Sequence, residues 1–347
     1  LNVGTYNFFD GGDLTVDTTV SFTSVPTNAL WTYTAKAGIG EAYTLAVAVY
    51  SGLSKSVNAQ SASPYQVVFS FDGTKMYILE YSNQAVFQYT LATAWDVSTA
   101  TYASLSKSVS AQEAAPNAMA FSSDGTKMYI LGFDTDTVYQ YTLATAWNVS
   151  TATYASLSKS VTTQEFAPLG LTFSANGTKM YVVGGQHKTV FQYTLGTAWN
   201  VSTATYASLS FNVSSYDSNP AEVAFSSDGL KMFTIGPSDD AVYQYNLGTA
   251  WNVSTAAYSG LSKSVQTQDT DPRGLTFSAD GTKMYVAGAS TDTIYQYNNT
   301  SLPVSITVPA AVQNPPNEAI ASYTGIAQVS YTFVTNDGGT TVKLIGE

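Results

Sequence analysis

Residues 53–299 repeat themselves every 52 residues. The string AspGlyThrLysMetTyr begins at Asp72, Asp124 and Asp280, with variants starting at Asn176 and Asp228, and no insertion or deletion separates the five starts. AlaTrp(Asp/Asn)ValSerThrAla keeps the same period at Ala94, Ala146, Ala198 and Ala250, as does LeuSerLysSerVal at Leu53, Leu105, Leu157 and Leu261. A fixed period of this size marks a repeat architecture, in which each unit buries its apolar face against its neighbours. It also supplies an internal alignment, because positions constant across units are scaffold and positions that vary are candidates for recognition.

The unit 116–161 reads as four short strands. AsnAlaMetAlaPheSer is the first, and Ser-Asp-Gly-Thr is a tight turn in which Gly125 takes the positive φ of a hairpin. LysMetTyrIleLeu follows, then ThrValTyrGlnTyrThrLeu with period-two alternation, a long connection, and SerLeuSerLysSerVal. No run has the 3.6-residue spacing of an amphipathic helix. Four antiparallel strands per unit, repeated around an axis, predict an all-β fold, a β-propeller of 52-residue four-stranded blades. Six blades are favoured. Thr19–Ala35 aligns with Lys75–Leu91, and Tyr43 and Tyr50 take the places of Trp95 and Tyr102, so the N-terminus supplies second, third and fourth strands of a sixth blade. The C-terminal hairpin 331–345 would add the missing first strand and remove free sheet edges. Five blades with an appended hairpin is the alternative. The expected organisation is a lead segment 1–18, a propeller 19–300 and a C-terminal β segment 301–347 that closes the ring or serves attachment.

Charge and composition narrow the partners. A net charge of −11 argues against nucleic acid, whose phosphates need clustered Lys and Arg. With no Cys there is neither a disulfide framework nor a thiolate metal site. No stretch approaches the ~18 apolar residues of a membrane span, and no cofactor is expected. Only 11% of residues are charged, while Tyr, Ser and Thr abound, as on a rigid β surface. The chain begins at Leu1 without a signal-like segment, and a preceding segment is expected to have been removed or left out.

Variation between units is confined to two connections, the loop entering each first strand and the turn joining the second strand to the third. In an antiparallel blade both emerge on one face, where loops carried by a rigid scaffold usually hold function. That face is acidic. Glu80, Glu113, Asp134, Asp136, Glu165, Asp217, Asp239, Asp240, Asp269, Asp271 and Asp292 lie there, against His187, Lys188 and Arg273. Tyr81, Phe133, Phe166 and Tyr216 offer rings beside them. The expected site is therefore a ligand or partner face of carboxylates and aromatics that binds sugar hydroxyls, a divalent ion or another protein. The repeated Trp95, Trp147, Trp199 and Trp251 are read as rings wedged between blades, and the Asp-Gly turns lack the several oxygens of a calcium loop. Catalysis finds little support, since His187 is the sole His. Acid pairs such as Asp134/Asp136 or Asp239/Asp240 offer only the outline of a glycosidase.

The unit Pro-x-x-(Leu/Met/Val)-x-Phe-Ser-x-(Asp/Asn)-Gly-x-Lys-Met-Tyr, with ValTyrGlnTyrThrLeu and AlaTrpAsnValSerThrAla, resembles propeller repeats of tailed-phage virion proteins and YVTN-type surface-layer propellers. The flanks 19–33, 306–316 and 335–342 resemble those of phage structural proteins. The resemblance implies a non-enzymatic virion surface protein of a tail, fibre or capsid, extracellular, joined to other virion proteins by its terminal segments. It would present its acidic face to a host glycan or receptor, with homo-oligomerisation open. A bacterial surface-layer protein or adhesin, or a purely architectural subunit, is the alternative.

Overall fold

The computed structural model describes residues 42–299 throughout, with the backbone of five further strands, Thr18–Ser21, Leu30–Thr34, Glu318–Tyr323, Ser330–Val334 and Thr341–Gly346. The chain divides into two compact units, one of residues 43–299 and one of residues 1–42 with 300–347.

In the larger unit every repeat gives the expected sheet. Blade one is Pro64–Phe69, Lys75–Glu80, Ala85–Leu91 and Ala100–Ser108, hydrogen-bonded in that order. Blades two, three and four follow the same pattern, beginning at Pro116–Phe121, Pro168–Phe173 and Glu222–Phe225. Blade five takes Pro272–Phe277, Lys283–Gly288 and Thr293–Asn298 from the last repeat, and its outer strand is Val49–Ser56 from the start of the unit. The N-terminal part-repeat thus completes the fifth blade and does not found a sixth. Tyr43 and Tyr50 do stand where Trp95 and Tyr102 stand, but in blade five, where Tyr50 is paired with Tyr297.

The six-blade expectation fails at its other strands as well. Leu30–Thr34 pairs with Ser330–Val334, and Thr18–Ser21 pairs with Thr341–Gly346, both in the smaller unit. The strands of the supposed hairpin 331–345 lie in two different sheets, and Thr341–Gly346 also runs parallel to Glu318–Tyr323.

The core lies between blades. One cluster joins Tyr77, Leu79 and Val86 of blade one to Met119, Met128 and Ile130 of blade two, and equivalent clusters sit at other seams. One hydrogen bond recurs at all five seams and a second at four of them, since blade four carries Phe233 where the others have Tyr. The Gln in the middle of the third strand accepts from the first backbone N–H of the neighbour's short 3-10 turn: Gln88 from Val149, Gln140 from Val201, Gln192 from Val253, Gln244 from Leu45 and Gln296 from Val97. The Tyr of the second strand donates to the carbonyl of the neighbour's Trp, as Tyr77 does to Trp147 at 2.7 Å and Tyr285 to Trp95 at 2.8 Å. Each indole packs between its own blade and the preceding one around the ring. Trp95 meets Phe69 at 5.4 Å and Tyr285 at 6.4 Å. These aromatic wedges leave the Trp rings no free face for stacking on a ligand in the manner of a sugar-binding platform.

The connection before the outer strand is shorter than its sequence implies. The 3-10 turns Val97–Thr99, Val149–Thr151, Val201–Thr203 and Val253–Thr255 break it, and the outer strand already begins at Ala152 in blade two. Asn148 caps its turn by accepting from the backbone and hydroxyl of Ser150, so the recurring Asn-Val-Ser is capping chemistry.

Candidate functional site

The variable loops and turns do share one face, but most of its acids point inward. Glu113, Glu165, Asp217 and Asp269 occupy one position of the entry loop and are all buried. Each carboxylate accepts from the backbone N–H two residues on: Ala115, Ala167, Asn219 and Asp271 respectively. In blades two, three and five it also reaches the turn between second and third strands. Glu165 accepts from the His187 N–H at 3.0 Å, Asp269 from that of Thr291 at 3.0 Å, and Glu113 from the Thr135 hydroxyl. In these three blades the acid is a clasp that ties the two variable segments together. A buried carboxylate is tolerable because it gathers donors from both.

Blade one takes its buried carboxylate from the other segment and bonds it within that segment's own turn. Ser61 stands at the loop position, and Glu80, ending the second strand, accepts from the Asn83 N–H. The position of Glu80 is Gly132, Gly184, Gly236 and Gly288 in the other blades, and a Cβ there would run into the Glu113, Glu165, Asp217 or Asp269 side chain. One carboxylate fits per blade, and it arrives from either segment.

The remaining predicted residues are scattered over five blades. Asp136, Lys188, Asp240 and Asp292 hold a left-handed turn, with φ of 48–52°, and their carbonyls accept from the next entry loop. Asp240 is buried and accepts from the Gln266 amide. Asp134 and Asp239 are exposed, and Asp239 sits near the Ser218 N–H at 3.3 Å. The His187 imidazole lies 3.3 Å from Glu165 and edge-on to Phe166. Tyr216 stacks on Tyr258 at 3.8 Å, and Phe133 stands alone and exposed. Arg273 is paired with Asp271 at 2.7 Å and lies over the Tyr65 ring, which stacks on Tyr81. These groups form local pairs within or between adjacent blades. Among the described residues, no group of three His, Asp or Glu could hold a metal ion.

A cavity of about 340 Å³ lies instead at the opposite end of the first strands. Its wall takes one residue from each blade, Val68, Ala120, Thr172, Ala224 and Thr276, and its lip is formed by the constant Asp-Gly hairpins, including Phe71, Ser123, Ala175 and Ala279. On the axis, Gln66 and Glu222 occupy the same repeat position as Ala118, Gly170 and Gly274. Five strands around an axis leave little room there. A Cβ on Gly170 would lie 2.7 Å from the Cα of Glu222, and one on Gly274 would lie 2.9 Å from that of Gln66. Three small residues thus make space for two long polar ones, whose side chains meet: the Gln66 amide donates to the Glu222 carboxylate. Burial pushes the Glu222 carboxyl well above the usual carboxylate range, against the backbone N–H groups of Val223 and Leu171, which favour the charged form. Sequence reasoning passed over both residues because it looked for function only in loops. The signal was present in AlaGluValAlaPhe, a carboxylate inside an apolar strand.

The family model described as Lactonase, 7-bladed beta-propeller matches residues 16–311. No curated protein matches the chain. Similar solved structures include a candidate 6-phosphogluconolactonase from Bacteroides uniformis, at 16% identity and TM-score 0.43 over 68% of this chain and 66% of that one. A functionally unknown protein from Desulfotomaculum acetoxidans is 12% identical with TM-score 0.41, over 65% and 62% of the two chains. The periplasmic gluconolactonase of Pseudomonas aeruginosa is 15% identical with TM-score 0.41, over 80% and 71%. The chain spans just under two thirds of the length of the first two. The family match overturns the phage resemblance, and with it the expectation of a non-enzymatic virion, tail-fibre or host-attachment protein and its surface-layer or adhesin alternative. The family is one of lactonases. The repeats misled because Asp-Gly hairpins and Trp wedges are demands of the blade and carry no information about biological setting.

Proposed function

This chain belongs to the lactonase family of propellers, described as seven-bladed, and from that premise we propose that it hydrolyses a lactone in the axial cavity with Glu222 as general base. One observation supports the reading above others: among the described residues Glu222 is the only carboxylate lining the cavity. A Ser-His-Asp arrangement has no footing, since the sole His is tied to Glu165 on the far face.

The chemistry follows from the site. Water attacks the lactone carbonyl and gives its proton to the Glu222 carboxylate. The tetrahedral adduct then collapses with cleavage of the ring C–O bond, and the proton passes to the departing alkoxide, giving a hydroxy acid. A base is most useful when its pKa lies close to the working pH, and burial moves Glu222 in that direction. Gln66 holds the carboxylate in place through its amide, while the Thr172 and Thr276 hydroxyls on the wall are donors for the carbonyl oxygen.

Acid release from a panel of simple δ-lactones, followed with a pH indicator, tests the reading. Glu222→Gln keeps the shape of the side chain but removes the base, and kcat should fall by ~10²–10⁴-fold. A variant as active as the parent would remove Glu222 from the role, and a parent inert on every lactone would remove the activity.

A further inference from the structure

We infer that the axial cavity selects an uncharged lactone bearing an apolar substituent and excludes phosphorylated sugar lactones, with Phe71 as the residue that grips the substituent. The inference rests on the proposed lactonase site and names its substrate class.

Among the described residues, no Lys, Arg or His lines the cavity. A phosphate group needs cationic donors or a cluster of backbone N–H groups, and its recognition is dominated by such charge-assisted bonds. The sole Arg, Arg273, is at the other end of its strand, engaged by Asp271 and the Tyr65 ring. The lysines that follow the Asp-Gly turns do not line the cavity either. Lys179 and Lys283 are drawn outward onto the carbonyls of Trp251 and Trp95 in neighbouring blades. Among the described residues the one carboxyl inside is Glu222, which would repel a phosphate in its charged form. The rest of the lining is Val, Leu, Met, Ala, Phe and Trp199, with Gln66, Tyr43 and the hydroxyls of Ser and Thr as its neutral polar groups.

Phe71 breaks the repeat at the lip. Its counterparts are Ser123, Ala175, Ser227 and Ala279, all small. The Phe71 ring is 72% exposed, the most exposed large apolar side chain among the described residues, and it borders the cavity. A lone ring in a position that the other four blades keep small gains nothing for the propeller and is free to close over an alkyl group entering the mouth.

Isothermal titration with stable lactam analogues reads binding separately from turnover. The probes are an alkyl-substituted δ-lactam, gluconolactam and gluconolactam phosphate, titrated into the full chain and into Glu222→Gln. The alkyl lactam should bind both proteins, and the phosphorylated one should bind neither over the same concentrations. Phe71→Ser, an exposed change that leaves the core intact, should weaken the alkyl lactam about tenfold, the worth of one to two buried methylenes. Ala279→Arg at the equivalent lip position should bring in measurable phosphate binding. Tighter binding of the phosphorylated lactam to the parent, unchanged affinity in Phe71→Ser, or failure of every lactam to bind would overturn the inference. Lactam binding as described without lactone turnover would instead defeat the proposed hydrolysis and leave the binding selectivity standing.

Discussion

Asp217 shows how one side chain can tune the stability of a blade. Burial lifts its carboxyl to about 6 from 3.8, against hydrogen bonds from Thr234 and the Asn219 N–H and with Asp239 adding to the rise. A folded pKa above the unfolded one means that the native state holds the proton more tightly. The contribution is complete below the unfolded value and is lost as pH rises through the folded one. Urea titrations should therefore show the parent losing on the order of 3 kcal/mol between about pH 4 and about pH 6 relative to Asp217→Asn, which has no charge to bury. Parallel pH curves for the two proteins would refute the assignment. Two glycines make the complementary contrast. Gly125 has φ of +69° and faces the Trp147 indole, so Gly125→Ala should destabilise by about 1–3 kcal/mol. Gly260, φ +83°, faces open space at a bulge where Ser104, Ser156 and Ser208 already adopt positive φ. Gly260→Ser should stay within about 1 kcal/mol in the same melts.

The carboxylate clasp is legible only once two segments are seen together. In one dimension, Glu80 and Glu113 read as members of an acidic surface, and nothing near Gly132 announces that it faces Glu113. The repeat alignment carries the relation in code: four blades have acid and Gly, and blade one has Ser and Glu. It predicts a reciprocal exchange. Glu80→Gly alone should leave the Asn83 turn without its acceptor, and Ser61→Glu alone should crowd two carboxylates into one site. Each should lower stability, and the double variant should recover most of the loss. A coupling energy of about 1–3 kcal/mol from a double-mutant cycle is expected, and simple additivity would show that the two segments do not share a site. The strands themselves needed no such context. In the larger unit the period-two alternation of ThrValTyrGlnTyrThrLeu, the Asp-Gly turns and the constant spacing placed nearly all of them, while the start of the outer strand at Ala152 and the capped 3-10 turn before it were not foreseen.

Closure was the part of the architecture that could not be read. Tyr43 and Tyr50 fit the repeat template of any blade equally well, so the alignment identified what kind of strand they flank and was silent about its partner. The answer is Thr293–Asn298, met by Val49–Ser56 across the full length of the ring. Because the larger unit is compact by itself, a chain trimmed to residues 43–299 should keep the parent's β-sheet circular dichroism and melting midpoint. Trimming to residue 57 should expose the third strand of blade five and the last seam, lowering the midpoint by on the order of 10 °C. Equal midpoints for the two truncations would show that the closing strand is dispensable. The location of that strand also sets the order of events in biosynthesis. The segment that shuts the ring leaves the ribosome before any complete blade, and the Ser51 hydroxyl must wait for the Gln296 carbonyl 245 residues later. Until then the chain holds an unsatisfied edge at one end and, finally, its complement at the other. At high concentration the complement can come from a second molecule, so crowded synthesis should yield dimers by strand exchange between rings, and dilute refolding should yield monomers.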